Sequence, residues 1–346
     1  MLNFASDYIA GAHPAILKRL EETNFELLPG YGTDHYTKSA KEKIQKACGC
    51  PDADVYFLVG GTQTNATVIA SVLKNYEGVI SAETGHINVH EAGAVEYTGH
   101  KILTIPGHEG KIDVDELKAY IKNYYEDDNY THMIFPGMVY ISHPTEYGTL
   151  YSKAELQAIH EVCKSYDIPL FVDGARLGYG LTSPYTDVSL EDLAHNCDMF
   201  YIGGTKVGAL FGEAVVFPRN NAPKQFYTMT KQHGAMLAKG WLTGLQYDVL
   251  FTDNLYFEIG KHAAAMTEKL KEIIKKYQIP VFLESPTNQQ FVIIEDKKLE
   301  MLNEKVVTGY WEKYDESHTV IRFATAWSTT EENLAELDRV LGEVFA

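Results

Sequence analysis

Over about the first two thirds of the chain, short apolar β-branched runs alternate with longer stretches in which apolar residues recur every three or four positions. That alternation predicts a mostly parallel sheet covered by helices. Val55–Val59 (VYFLV) is the first clear strand, and the glycine turn GGTQTN and the apolar helix ATVIASVLK follow it. Further strands are expected at Gly78–Ser81, Lys101–Ile105, either His132–Phe135 or Val139–Ser142, Pro169–Asp173, Asp198–Ile202 and Glu213–Phe217. Helices are expected at Val114–Tyr124 after an Asp113 cap and at Lys153–Tyr166 after Ser152. The stretch from Trp241 to Lys276 reads as one long helix. Strands at Val281–Leu283, Gln290–Ile294 and Thr319–Ala324 come next, then a helix over Thr330–Phe345 with Ser328 or Thr329 as its cap. The whole reads as an α/β protein in two parts. Residues 1–245 form an N-terminal arm and a large domain with a mostly parallel central sheet, and residues 246–346 form a smaller C-terminal α+β domain. No internal repeat, low-complexity tract or proline-rich linker marks the join.

Composition narrows the classes. With 346 residues, 45% hydrophobic and 22% charged, the chain has the make-up of a folded globular protein. Its 47 acidic against 30 basic side chains leave a net charge of −17, a field that repels phosphodiester backbones and anionic lipid. Neither nucleic acid nor a membrane surface is an expected partner. No run approaches the roughly 20 apolar residues of a spanning helix, and the N-terminus lacks the basic start and apolar stretch of a signal peptide. Cys48, Cys50, Cys163 and Cys197 show no C-x-x-C pairing and read as reduced thiols, so the cytoplasm is the expected compartment.

Three features in order suggest a site. Gly60-Gly61-Thr62-Gln63-Thr64-Asn65 joins a strand to a helix, where small residues let backbone N–H groups approach an anion at the helix's positive end. The alternative is a purely structural turn; a P-loop is excluded because no G-K-[ST] follows. In PLFVDGAR, Asp173 ends a buried strand and Arg176 follows three residues on, so the acid faces the crevice at the strand ends unless it only caps the next turn. In DMFYIGGTKVG, a hydrophobic strand delivers Lys206 into a glycine-rich turn, 33 residues after Asp173. A lysine desolvated there has a freed amine suited to Schiff-base chemistry; alone it would be a solvated loop residue. Following a phosphate cup and a strand-end acid, it is the covalent anchor expected for pyridoxal phosphate.

This trio resembles the fold-type I pyridoxal-phosphate enzymes, and the finer motifs resemble their threonine aldolase and β-eliminating lyase branch. The stretches that carry the resemblance are FASDY, PGYGTD, GTQTN, GHINVHEAGAVE, TEYGTLYS, VDGARLG, the Lys206 turn and TVIRFATAW, spread from about Asn3 to Trp327. The resemblance implies that Gly61, Thr62 and Gln63 hold the cofactor phosphate and that Lys206 bonds to the cofactor. Asp173 would keep the pyridine nitrogen protonated, which makes the ring an electron sink. His86 would lie over the ring, although a capping or core histidine is the plainer reading. Arg322 would grip the substrate carboxylate with Ser6 and Arg176 nearby. Tyr31 and Lys239 would reach the site from a neighbouring subunit of a homodimer or homotetramer. His86 and His90 stand four apart with Glu91 next, but the order is not H-E-x-x-H and no third ligand is evident, so no metal site is expected.

Where many relatives carry a histidine after the threonine, this chain has Glu146, and His143 lies three residues earlier; either is a candidate general base. The lysine turn GGTKVGALFGEA replaces the more usual serine-lysine-glycine run, and QHGAMLAKG puts Lys239 where an arginine is usual. The implied activity is retro-aldol cleavage of L-threonine, L-allo-threonine or a related β-hydroxy-α-amino acid to glycine and an aldehyde. A β-eliminating lyase or an aminotransferase on the same cofactor is the alternative, and a non-catalytic binding protein on the same scaffold is the lesser one.

Overall fold

A computed structural model describes residues 1–345 of the chain. Seven strands make the central sheet: β1 (Asp54–Leu58), β2 (Glu77–Ala82), β3 (Ile102–Ile105), β4 (Phe135–Ser142), β5 (Leu170–Asp173), β6 (Met199–Gly203) and β7 (Glu213–Phe217). Their order across the sheet is β1-β7-β6-β5-β4-β2-β3. All neighbours are parallel except β7, which runs antiparallel to both β1 and β6. The strands are nearly continuous apolar runs because both faces are covered, as a parallel sheet requires. One face packs a cluster containing Ile80, Val139, Val172, Phe200 and Val216; the other packs Leu58, Tyr140, Phe171, Tyr201 and Val215.

The smaller part is a four-stranded antiparallel sheet of β8 (Val281–Leu283), β9 (Gln289–Glu295), β10 (Gly309–Lys313) and β11 (His318–Ala324), in the order β10-β11-β9-β8. It buries Val292, Ile294, Ile321 and Phe323 under the helices Leu255–Lys276 and Glu331–Phe345. The helix Leu255–Lys276 contributes Tyr256, Ile259 and Ala263 to the large core and Met266, Leu270 and Ile274 to the small one. Phe4 also packs in the small core, and Leu2–Asn3 pairs in parallel with Val306–Val307. Among the described residues no helix is long and apolar enough to cross a membrane, and all four cysteines are free.

The main elements form where the hydrophobic pattern placed them, with four corrections. The helix expected over Trp241–Lys276 is two helices, Trp241–Leu250 and Leu255–Lys276, because Asp253 and Asn254 take φ of 50° and 60° and turn the chain. Of the two alternatives before β5, one strand of eight residues contains Val139–Ser142; Tyr130–His132 is a 3-10 turn. The last helix starts at Glu331, and its cap is Thr330, whose Oγ1 accepts the Asn333 N–H at 3.2 Å; the Thr329 hydroxyl instead accepts the Ala326 N–H at 2.9 Å. The strand β10 was not expected at all.

Candidate active site

The crevice lies at the C-terminal ends of β4, β5 and β6, where an open α/β sheet places ligands. A cavity of about 580 Å³ opens there, walled by Lys206, His86, Glu146 and Arg176 from the large part and by Trp311 and Arg322 from the small one.

Asp173 ends β5 on a fully apolar strand. Its turn into DGAR needs glycine: a Cβ on Gly174 would lie 1.9 Å from the Tyr201 carbonyl oxygen. The carboxylate is 3% exposed and takes four donors: the Tyr140 hydroxyl at 2.6 Å, the Asn65 amide at 3.0 Å, the Ala175 N–H at 3.0 Å and the Tyr201 hydroxyl. Burial acts to raise its pKa, but the nearby His86 and these donors outweigh it and hold Asp173 below the usual carboxylate range.

Lys206 sits in the turn after β6, and three buried tyrosines fix that turn through its carbonyls. Tyr247 donates to Ile202 O at 2.6 Å and Gly212 O at 3.0 Å, Tyr256 to Gly203 O at 3.0 Å, and Tyr179 to Lys206 O at 2.6 Å. Lys206 Nζ lies 6.0 Å from the Tyr8 ring centroid. Burial and the Arg176 charge push its pKa down, so the amine loses its proton more readily than a surface lysine does. Glu213, across the ladder from Gly203, accepts the Gly204 N–H at 3.2 Å, and burial raises its carboxyl to about 8.

The helix Gly61–Val72 begins at the end of β1. Its first backbone bond is Thr64 N–H to Gly60 O at 2.9 Å, so the N–H groups of Gly61, Thr62 and Gln63 precede the helical ladder and point out of its positive end. The Gln63 side chain is occupied structurally: it accepts the Val59 N–H at 3.2 Å and donates to His233 O at 3.1 Å.

His86 and Glu146 face the cavity together. The His86 N–H donates to Glu146 Oε1 at 3.0 Å, and the Ser142 hydroxyl donates to the same oxygen at 2.6 Å. Burial depresses the imidazole to about 4 and raises the Glu146 carboxyl to about 7. His143, the other candidate base, does not line the cavity. It is fully buried against Tyr151, neither ring nitrogen has a partner, and burial lowers its pKa to about 4.

The two arginines differ in how far they are occupied. Arg176 is held bidentately by Asp7, Nε at 2.7 Å and Nη2 at 3.0 Å, and the pair keeps Asp7 ionised, with a pKa of about 2 despite its burial. Arg322 on β11 donates Nη1 to Gln289 Oε1 and Nη2 to Ala5 O, each at 2.8 Å, while its buried Nε is unpartnered. Gly309 lets β10 pass beside it, since a Cβ there would meet Ala5 O at 2.8 Å and Arg322 Nε at 3.4 Å. Burial and the Arg176 charge lower the Arg322 pKa to about 10. The Ser6 hydroxyl is buried and also unpartnered.

Tyr31 and Lys239 stay outside this cavity. They lie on adjacent segments tied by the Tyr31 N–H to Ala238 O bond at 3.1 Å, and both are exposed. Sequence reasoning also missed Asp7, Asn65, Glu91, Tyr140, Tyr201, Glu213 and the β10 residues Tyr310 and Trp311. A signal existed for two of them, since Tyr140 and Tyr201 are polar-tipped residues inside the apolar strands on either side of Asp173.

The family model for beta-eliminating lyases matches residues 3–297. A low-specificity L-threonine aldolase of a Pseudomonas species is 28% identical over 344 residues, covering 96% of this chain and 95% of that one. One from Candida albicans is 22% identical, covering 90% and 82%. Among solved structures, Leishmania major threonine aldolase superposes with a TM-score of 0.96 at 39% identity over the whole of both chains. Aspartate aminotransferase of Thermus thermophilus shares the fold, with a TM-score of 0.73 at 14% identity, covering 99% and 91%.

Proposed function

The chain belongs to the beta-eliminating lyase family, and we propose that it is a pyridoxal-phosphate-dependent lyase that cleaves L-threonine, L-allo-threonine or a related β-hydroxy-α-amino acid to glycine and an aldehyde. The observation that carries this reading is a pair of buried charges at the strand ends: an ionised, four-times hydrogen-bonded Asp173 that acts electrostatically on Lys206, a cavity-lining lysine whose pKa is lowered. That pairing fits a ligand with a basic ring nitrogen and a carbonyl, and the free N–H groups at Gly61, Thr62 and Gln63 fit its phosphate. When bound, the cofactor supplies an electron sink for negative charge at the substrate Cα.

The remaining roles belong to the protein. Lys206, whose amine gives up its proton more readily than a surface lysine does, would be the covalent anchor, and Asp173 would favour a proton on the ring nitrogen. His86, uncharged at neutral pH and lining the cavity, would pack against the bound ring. Arg322 and Ser6 orient the substrate carboxylate, for which their unpartnered Nε and Oγ are available. Arg176, committed to Asp7, shapes the cavity and adds positive charge. Glu146 takes the β-hydroxyl proton at its Oε2; burial brings its pKa near neutrality, where it serves best as a base. The likeness to threonine aldolases supports carbon–carbon cleavage over elimination or transamination.

Tyr31 and Lys239, exposed and away from their own cavity, are proposed to complete the site of a second copy in a homodimer or homotetramer. The free thiols suit the cytoplasm, the proposed compartment.

The test is an absorbance spectrum of the purified protein before and after L-threonine, with glycine and acetaldehyde assayed. Pyruvate and ammonia from serine, without glycine from threonine, would replace the aldolase reading with the eliminating one. Lys206→Ala is expected to remove the cofactor's visible band and turnover together; retained turnover would sink the mechanism.

A further inference from the structure

Asn65 stands between two buried acids. Its side-chain amide donates one hydrogen to Asp173 Oδ2 at 3.0 Å and the other to Glu91 Oε1 at 2.8 Å. The acids are supported unequally. Asp173 receives three more donors, from Tyr140, Tyr201 and the Ala175 N–H. Glu91 has a fully buried side chain whose Oε2 finds no partner, and His86 Nε2 stands 3.9 Å from its Oε1. Two carboxylates sharing one amide cannot both ionise cheaply out of water, so the negative charge settles on the acid with more donors and the proton on the other.

We propose that Glu91 is the proton-holding partner of Asp173: it stays uncharged while Asp173 alone carries the charge, and it releases its proton to solvent when a cationic ring nitrogen is set against Asp173. The inference rests on the cofactor reading above and concerns a residue to which no role has been given. The groups facing Glu91 are Asn65 and Thr62 from the helix Gly61–Val72, His86 from its own segment, Asp173 from β5 and Lys206 from the turn after β6. The balance agrees with this division: burial, aided by the Asp173 charge, lifts Glu91 to about 7, while Asp173 stays below its usual range. A cation on Asp173 removes the repulsion that kept the proton on Glu91. Glu91 is thus a positioning residue for charge, acting through Asp173, and not a group that touches substrate.

The test counts protons. Cofactor-free protein is titrated with pyridoxal phosphate near pH 6, where Glu91 is mostly protonated, by calorimetry in two buffers of different ionisation enthalpy. Wild type is expected to release more protons per subunit than Glu91→Gln, by on the order of one. Glutamine keeps the acceptor for Asn65, so a purely structural role predicts equal counts, and equal counts overturn the proposal. Should Glu91→Gln fail to fold, wild type alone can still overturn the proposal, and Glu91→Asp, which keeps a carboxyl, tests whether the infrared carbonyl band follows that side chain. The infrared carbonyl band of a protonated carboxylic acid is expected to weaken as the cofactor binds, and an unchanged band overturns the proposal. Absence of any cofactor binding would sink the cofactor reading and this inference together, whereas normal binding with equal counts sinks only this one.

Discussion

The two sides of the cavity are built on opposite plans. On the large-domain side the reactive groups are tied in advance: Asp173 has four donors, and the Lys206 turn is fixed by the hydroxyls of Tyr179, Tyr247 and Tyr256. On the other side Arg322, which lines the cavity, has a buried Nε with nothing to bond, and the buried Ser6 Oγ likewise has no partner. A buried donor without an acceptor costs about 1–3 kcal/mol, so the protein tolerates strain where a substrate carboxylate would relieve it. Where the proposed cofactor would sit, little is left for a ligand to organise. Rigidity thus serves the chemistry, and unsatisfied polarity serves recognition.

Three substitutions probe that contrast. The largest effect is expected from Glu146→Gln, which keeps the Ser142 and His86 bonds but removes the proton acceptor. Turnover should fall about 10²–10⁴-fold. In wild type, activity should rise with pH through about 7 as Glu146 ionises, because a base works only in its deprotonated form. The variant should lose that acid limb; a full-strength limb in the variant would move the base elsewhere.

Next comes Arg322→Lys on the unsatisfied side. Lysine cannot keep bonds to Gln289 and Ala5 while presenting a fork to a carboxylate. Substrate KM should rise by about 10–100-fold, on the scale of one charged hydrogen bond at roughly 1.5–3 kcal/mol, with the cofactor spectrum unchanged. An altered spectrum with normal KM would mean that the two sides are not separable in this way.

The smallest effect belongs to Tyr179→Phe, which frees the Lys206 carbonyl from one bond. Stability should drop by about 1 kcal/mol, read as a lower denaturation midpoint, with cofactor retained. A large loss of activity without loss of stability would show that the tyrosines tune the lysine more finely than simple anchoring.

Legibility in the sequence followed the same division. Asp173 stood out because it ends an apolar run before a glycine, and Lys206 because it follows an apolar run through a glycine turn; apolar runs are what periodicity reads well. The helix Gly61–Val72 was visible for the same reason. The break before Leu255 was signalled by Thr252, Asp253 and Asn254, turn formers outweighed by the long apolar periodicity on either side. Asp7 was hidden because its role exists only through distant partners, Arg176 at 169 residues and Asn288 at 281. Strand β10 reads poorly because its Tyr310, Trp311 and Glu312 serve the cavity wall instead of a uniform apolar face. The choice between His143 and Glu146 needed coordinates, since three residues separate them but opposite sides of a strand end receive them.

The opening residues form a strap over the finished molecule. Phe4 donates its N–H to Val307 and accepts from Ala324, Ala5 O binds Arg322 at a separation of 317 residues, and Asp7 holds both Arg176 and Asn288. Synthesis runs from N- to C-terminus, so this strap is made before the residues that hold it and waits for them. Asp7 can meet Arg176 early, but until Arg322 and Ala324 have emerged the carbonyls of Ala5 and Phe4 lack their donors. A half-made chain can thus gather its central sheet and its lysine turn while remaining unable to hold an amino acid.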